Sequence, residues 1–212
     1  MFDPSPLFDA VVTGQAVPAR ALTEQALVSG LAPRELVDRC LIPAMDEVGR
    51  RFECNDYFVP ELLIAARAMK ASLELLRPAL AACGTKPVGR VAIGTVKGDL
   101  HDIGKNLVAA MLEGGGFEVV DLGVDVTPER FVTSAASDQV GVIALSALLT
   151  TTMPTMKQVV AGLEKAGLRD RVKVMVGGAP VTQRYADEIG ADGFADSAAS
   201  AVPLARRLVG AA

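Results

Sequence analysis

Gly98-Asp99-Leu100-His101-Asp102-Ile103-Gly104-Lys105-Asn106 places the one histidine of the chain between two carboxylates and two glycines, at the exit of an apolar run. Neutral imidazole is a good ligand for a borderline transition metal. It binds best when its other ring nitrogen donates to a carboxylate that fixes tautomer and orientation. Asp99, two residues before His101, is the natural holder. The glycines let the backbone turn sharply and let something bulky come close. A single His beside an Asp is also what an ordinary surface loop carries, so the short motif is only as strong as its surroundings.

Two other stretches stand out. Leu145-Ser146-Ala147-Leu148-Leu149-Thr150-Thr151-Thr152 is a hydroxyl-rich run after an apolar one, and Gly177-Gly178-Ala179-Pro180 follows another. Taken singly, hydroxyls before a helix are often capping groups, and Gly-Gly after a strand is usually a tight turn. On one rim with His101 they would form a site.

The elements that must position them fall into two grammars. Up to Ala82 the pattern is helical: a helix through Val17-Pro18 ending near Gly30, a second opened by Ala32-Pro33 and running to Phe52 with a kink at Pro43, and a long third from Pro60. Leu62, Leu63, Ala66, Met69, Leu73 and Leu76 give that third helix one apolar face. Residues 1–84 therefore read as a four-helix bundle. Cys83 to Gly89 has the Gly and Pro content of a linker.

From residue 90 to 212, β-branched runs alternate with helical ones: RVAIGTV, FEVVDLG, VGVIALSA, VKVMVGG and a short GFA, with helices from Gly104, Pro128, Met153 and Thr182 and at the C-terminal end. Five such units predict an α/β domain with an open, doubly wound parallel sheet. A flavodoxin-like order, 2-1-3-4-5, puts ligands beyond the carboxyl ends of strands one and three. The Asp99/His101 loop, the Ser146 to Thr152 turn and Gly177-Gly178 would then share one rim.

Composition narrows the function. The chain has 212 residues, 50% hydrophobic and only 4% aromatic, with net charge -4 from 21 basic and 25 acidic residues spread along it. No basic stripe is present to bind nucleic acid. No run approaches the ~20 apolar residues of a membrane-spanning helix, and the N-terminus lacks a signal pattern, so a cytoplasmic protein is expected. Cys40, Cys54 and Cys83 form no CxxC pair, which argues for ordinary small apolar side chains rather than zinc or dithiol chemistry.

Together these motifs resemble the cobalamin-binding corrinoid methyl-carrier proteins of methylamine, methanol and O-demethylase systems, related to the cobalamin modules of methionine synthase. The family's DxHxxG is matched by Asp99, His101 and Gly104, its SxL by Ser146 and Leu148, and its GG by Gly177 and Gly178. The cap signature MxxVGxxFE, then FxPELLxAAxAM, is matched by Met45, Val48, Gly49, Phe52, Glu53, Phe58, Pro60 to Leu63, Ala65, Ala66, Ala68 and Met69. Asn55-Asp56 stands where relatives often carry Gly-Glu.

The resemblance implies a helical cap before a Rossmann-like cobalamin-binding domain. It implies cobalamin, as methylcobalamin and cob(I)alamin, bound base-off with His101 as the lower axial ligand of cobalt and Asp99 and Thr152 completing a relay. Gly98, Leu100, Asp102, Ile103, Gly104, Leu148 and Thr150 would lie around the cofactor, with Ser146 on the displaced base. Gly177, Gly178 and Ala179 would make room for the nucleotide tail, with Phe194 and Asp196 at the bottom of its channel. Phe58, Leu62, Leu63 and Met69 would cover the methyl face. Such a protein is not catalytic alone. It carries a methyl group from a substrate-specific methyltransferase to a second methyltransferase with a tetrahydrofolate or thiol acceptor, and is kept reduced by an activase. An adenosylcobalamin-binding sensor shares the cap and the base-off site but usually uses a cap tryptophan, and this chain has no Trp. A receiver-like module needs acidic residues at the ends of strands one and three, where Thr95-Val96-Lys97 and Leu145-Ser146 stand.

Overall fold

The computed structural model describes residues 3–82, 87–137 and 139–211. It divides into two compact units, residues 1–87 with 113–116, and residues 88–112 with 117–212. Of the expected linker, Cys83 to Lys86 lies outside the described residues.

The first unit is helical: α1 (Ser5–Val12), α2 (Ala16–Val28), α3 (Pro33–Leu36), a π-helical turn (Val37–Leu41), α4 (Ile42–Glu53) and α5 (Val59–Ala82). Leu7, Val11, Leu36, Leu41, Met45, Leu62, Met69 and Leu76 fill its core. Sequence predicts a kinked helix at Pro43; the structure instead widens the helix just before it, with the Ile42 N–H donating to the carbonyl of Val37. A proline ring clashes with the carbonyl four residues back, here Arg39, and that residue lies inside the wider turn. Asn55, in the left-handed region (φ 60°), ends the run, and the Glu61 carboxylate accepts from the Phe58 N–H at 2.9 Å to start α5.

The second unit alternates as expected: β1 (Arg90–Thr95), α6 (Ile103–Gly114), β2 (Glu118–Asp121), α7 (Pro128–Ser137), β3 (Val142–Ser146), α8 (Pro154–Lys165), β4 (Lys173–Gly177), α9 (Gln183–Ile189), β5 (Gly193–Ala195) and α10 (Ala198–Leu208). The strands pair in parallel in the order β2-β1-β3-β4-β5. β1, β3 and β4 are buried along most of their length, so they are apolar throughout rather than alternating. Their register aligns Thr95, Ser146, Gly177 and Ala195 in one row at the carboxyl ends. The row two residues earlier is Ile93, Ala144, Met175 and Gly193. Ala92, Ile143, Leu145, Val174 and Val176 pack on the opposite face with Phe131, Met156, Val159 and Leu163.

Candidate functional site

The site begins with a buried carboxylate. Asp99 is fully buried, and its Oδ1 meets Nδ1 of His101 at 2.6 Å and accepts from the His101 N–H at 3.1 Å. Its Oδ2 accepts from the backbone N–H groups of Leu148 (2.8 Å) and Leu149 (3.2 Å) and from the Thr152 hydroxyl (2.8 Å). Burial by itself would push this carboxyl up. Hydrogen bonds from the His101 ring, the Leu148 and His101 N–H groups and Thr152 outweigh it and hold the group well below the ordinary carboxylate range.

An ionised Asp99 makes Nδ1 of His101 the protonated nitrogen and leaves a lone pair on Nε2. The imidazole is half exposed. It is the outward end of a chain that runs from Thr152 through Asp99 to His101. The Thr152 hydroxyl also lies 2.8 Å from the carbonyl of Leu149, so its single proton has two acceptors. The Thr95 hydroxyl, buried at the end of β1, donates to the carbonyl of His101 at 2.9 Å. Gly98 turns the loop with φ 85°.

Beside His101 a groove of about 570 Å³ opens at the carboxyl ends of β1, β3, β4 and β5, between α6 and α10. His101, Asp102, Gly104, Ser146, Gly178 and Asp196 stand at its rim row or in the loops beyond it, while Ile93, Ala144 and Met175, from the row below, form an apolar floor. A Cβ added to Gly178 (φ 128°) would lie 1.9 Å from the carbonyl oxygen of Ala147, so only glycine fits where β4 leaves the sheet. Gly104 differs: apart from its chain neighbours and its own helix backbone, nothing lies within 4 Å of an added Cβ, and the residue lines the groove. Leu100, Ile103, Leu148 and Leu149 are exposed around the imidazole, an apolar surface of the kind that marks a binding face.

Most of the expected residues come together here. Leu100, His101, Asp102, Ile103, Gly104, Ser146, Leu148, Gly177, Gly178, Ala179 and Asp196 line the groove, with Asp99 and Thr152 buried behind the ring. Thr150 stands exposed in the turn beyond β3 and is not among the lining residues. Phe194 packs into the core on the opposite face of the sheet, and its neighbours Ala195 and Asp196 line the groove instead. In the helical unit Leu62 and Met69 are buried in the core, whereas Phe58 and Leu63 are exposed. Burial pushes the Cys40 thiol up to about 11, as suits an inert core cysteine. Sequence reasoning named Lys105 only as part of the His101 stretch, with no role, and missed Asp121 and Asp125. Lys105 is buried, and its ammonium reaches both carboxylate oxygens of Asp121 at 2.7 and 2.6 Å.

Among the described residues no group of three His, Cys, Asp or Glu side chains converges to hold a metal. What the geometry presents is one half-exposed imidazole, held by a buried carboxylate, at the mouth of a largely apolar groove. The fold and the site thus define a doubly wound α/β protein with a ligand groove at its switch point, and comparison with known proteins shows its family.

Two family models, each described as a B12 binding domain, match residues 89–204 and residues 5–77. The chain is 44% identical over 203 residues to trimethylamine corrinoid protein 1 of Methanosarcina acetivorans, covering 95% of this chain and 94% of that one. It is 43% identical over 205 residues to the dimethylamine corrinoid protein of Methanosarcina barkeri, covering 96% and 95%. In three dimensions it is similar to the methanol:cobalamin methyltransferase complex MtaBC from Methanosarcina barkeri (TM-score 0.86, 28% identity, 99% and 80% covered). It is also similar to a cobalamin-binding protein from Desulfitobacterium hafniense DCB-2 (TM-score 0.82, 31% identity, 98% and 99% covered). The chain belongs to the B12-binding corrinoid protein family. No helix among the described residues is long and apolar enough to cross a membrane.

Proposed function

We propose that this chain is the methyl-carrying corrinoid protein of a methylamine-type methyltransferase system, binding cobalamin base-off, and that Nε2 of His101 would be the protein's ligand to its cobalt. When bound, cobalamin supplies a cobalt centre that can take up a methyl group from one partner enzyme and give it to another. The chain's own residues do the rest. Asp99 holds Nδ1–H, so the ring presents a lone pair from a fixed direction. Thr152 adds or withholds a proton toward the same carboxylate and so tunes how strongly the imidazole donates. Ser146, Gly177 and Gly178 border the groove that takes the displaced base and nucleotide tail, and the apolar floor keeps water from that end of the site.

The observation that carries this reading is the 2.6 Å contact of Asp99 with Nδ1 of a half-exposed His101 at the mouth of that groove. The trimethylamine and dimethylamine corrinoid relatives support a methylated amine as the ultimate donor. The donor is chosen in a substrate-specific methyltransferase, the acceptor in a second methyltransferase, and reactivation belongs to a reductive activase.

The test is an absorbance titration of the apo-protein with cobalamin, followed by methylation in the presence of trimethylamine or dimethylamine and a matching methyltransferase. Wild type is expected to shift the cobalamin spectrum to that of an imidazole-ligated, base-displaced form and to gain a methyl group. His101→Ala is expected to lose that spectrum. An identical spectrum and affinity in His101→Ala would overturn the assignment of the ligand.

A further inference from the structure

The loop that carries His101 is gripped on both sides by one segment of the sheet edge. After β2 ends at Asp121, the chain keeps running alongside β1 and past its end. Gly123 accepts from the Thr95 N–H at 3.0 Å, the Val126 N–H donates to the carbonyl of Thr95 at 3.0 Å, and Val96 and Val126 form a parallel bridge. Between them sits Asp125. Its carboxylate Oδ1 accepts from the Gly98 N–H at 2.7 Å, and its own N–H donates to the carbonyl of Asp99 at 3.1 Å. Four residues earlier, Asp121 holds the buried Lys105 ammonium through both oxygens, with Asn106 Oδ1 a third acceptor at 2.6 Å. One aspartate therefore fixes the residues just before His101, and the other fixes the first turn of α6 just after it.

Asp125 adopts φ 53°, in the left-handed region that a non-glycine residue enters at a cost. Glycine would sit there without strain. What aspartate adds is the acceptor, and it lies on the surface, where packing does not require it. Asp121 likewise is half exposed, yet it holds a lysine that is almost wholly buried. Asp125 thus holds the loop at a local backbone cost, and Asp121 holds it through the buried ammonium.

We propose that Asp121 and Asp125 are positioning residues for the axial imidazole, a two-jawed clip that sets the direction of Nε2 by immobilising residues 98–105 against the β2 edge. The proposal rests on His101 being the cobalt ligand. Neither aspartate touches the ring; each acts through the loop.

The experiment uses protein grown on ¹⁵N, loaded with natural-abundance cobalamin, and measures paramagnetic resonance of the cobalt(II) form. A protein nitrogen on cobalt splits each line into two, whereas the cofactor's own ¹⁴N base splits it into three. Wild type giving three lines would refute the ligand assignment itself, separately from the clip. With two lines in wild type, Asp125→Gly is expected to lower the ratio of imidazole-bound to unbound cobalt about tenfold, the lower range for residues supporting a metal ligand, while the melting temperature of the apo-protein stays the same or rises because the φ strain is gone. Asp125→Asn keeps an acceptor oxygen and tolerates the same φ, so it is expected to restore the two-line signal. Lys105→Met opens the other jaw independently, with a lowered ratio expected there too. The clip is overturned if Asp125→Gly and Lys105→Met both keep the wild-type ratio, or if Asp125→Asn is as impaired as Asp125→Gly.

Discussion

Gly104→Ala separates what the fold needs from what the ligand needs, because the two respond with opposite signs. Gly104 is the second residue of α6, its φ is not positive, and an added Cβ meets nothing within 4 Å beyond its chain neighbours and its own helix backbone. Replacing glycine by alanine in a helix stabilises by up to about 1 kcal/mol; in the first turn about half of that, ~0.5 kcal/mol, is reasonable. The apo-protein should therefore be slightly more stable. Gly104 lines the groove beside His101, so a ligand packed closely there must make room for the added methyl group. Overpacking a close-fitted site costs about 1–3 kcal/mol, which at 1.4 kcal/mol per tenfold weakens cobalamin binding by roughly 5- to 150-fold. Urea unfolding of the apo-protein and an absorbance titration with cobalamin measure the two arms. Unchanged cobalamin affinity in Gly104→Ala would refute the claim that this glycine is kept for ligand space, whatever the stability shows.

Gly178→Ala should behave in the reverse way, destabilising the apo-protein by about 3 kcal/mol or more, since a backbone carbonyl stands 1.9 Å from the new Cβ and φ is 128°; denaturant midpoints test this, and a loss under about 0.5 kcal/mol would contradict it. Asp99→Asn should cost the apo-protein most at neutral pH. The native carboxyl titrates below its ordinary value of 3.8, so its contribution is fully present above that value and is lost as pH falls through the lower native one. The gap between wild type and variant must therefore narrow on acidification, and a gap that widens would reverse the sign. Thr152→Val removes one of several donors on Asp99 and should cost about 1 kcal/mol in unfolding experiments, with cobalamin binding weaker by about tenfold.

The sheet was legible because fully buried strands announce themselves. RVAIGT, VIALS and KVMVG are continuous apolar runs bounded by glycine, proline or hydroxyl residues, and each became a strand within a residue or two. Asp99 and His101 were legible because they are two residues apart and the hydrogen bond between them is local. Thr152 and the N–H groups of Leu148 and Leu149 reach the same carboxylate across about fifty residues of sequence, and nothing in the spacing alone pairs them. Ala144 and Met175 lie in apolar strand runs, where a groove floor and a core share one pattern: apolar side chains facing inward from a strand. Asp121, inside the FEVVDLG run, and Asp125, beyond it, carry no signal of their own in the sequence, since only the path of the chain past β1 shows what they hold. At Pro43 the sequence marked where the helix is disturbed but not how, because a kink and a π-turn both relieve the same ring clash.

Having a single imidazole and no converging donors among the described residues also bears on mismetallation. Zinc and copper bind whichever chelating cluster of nitrogen, sulfur and oxygen groups is presented to them, and His101 presents one monodentate position. The described residues therefore offer free divalent ions no chelating cluster.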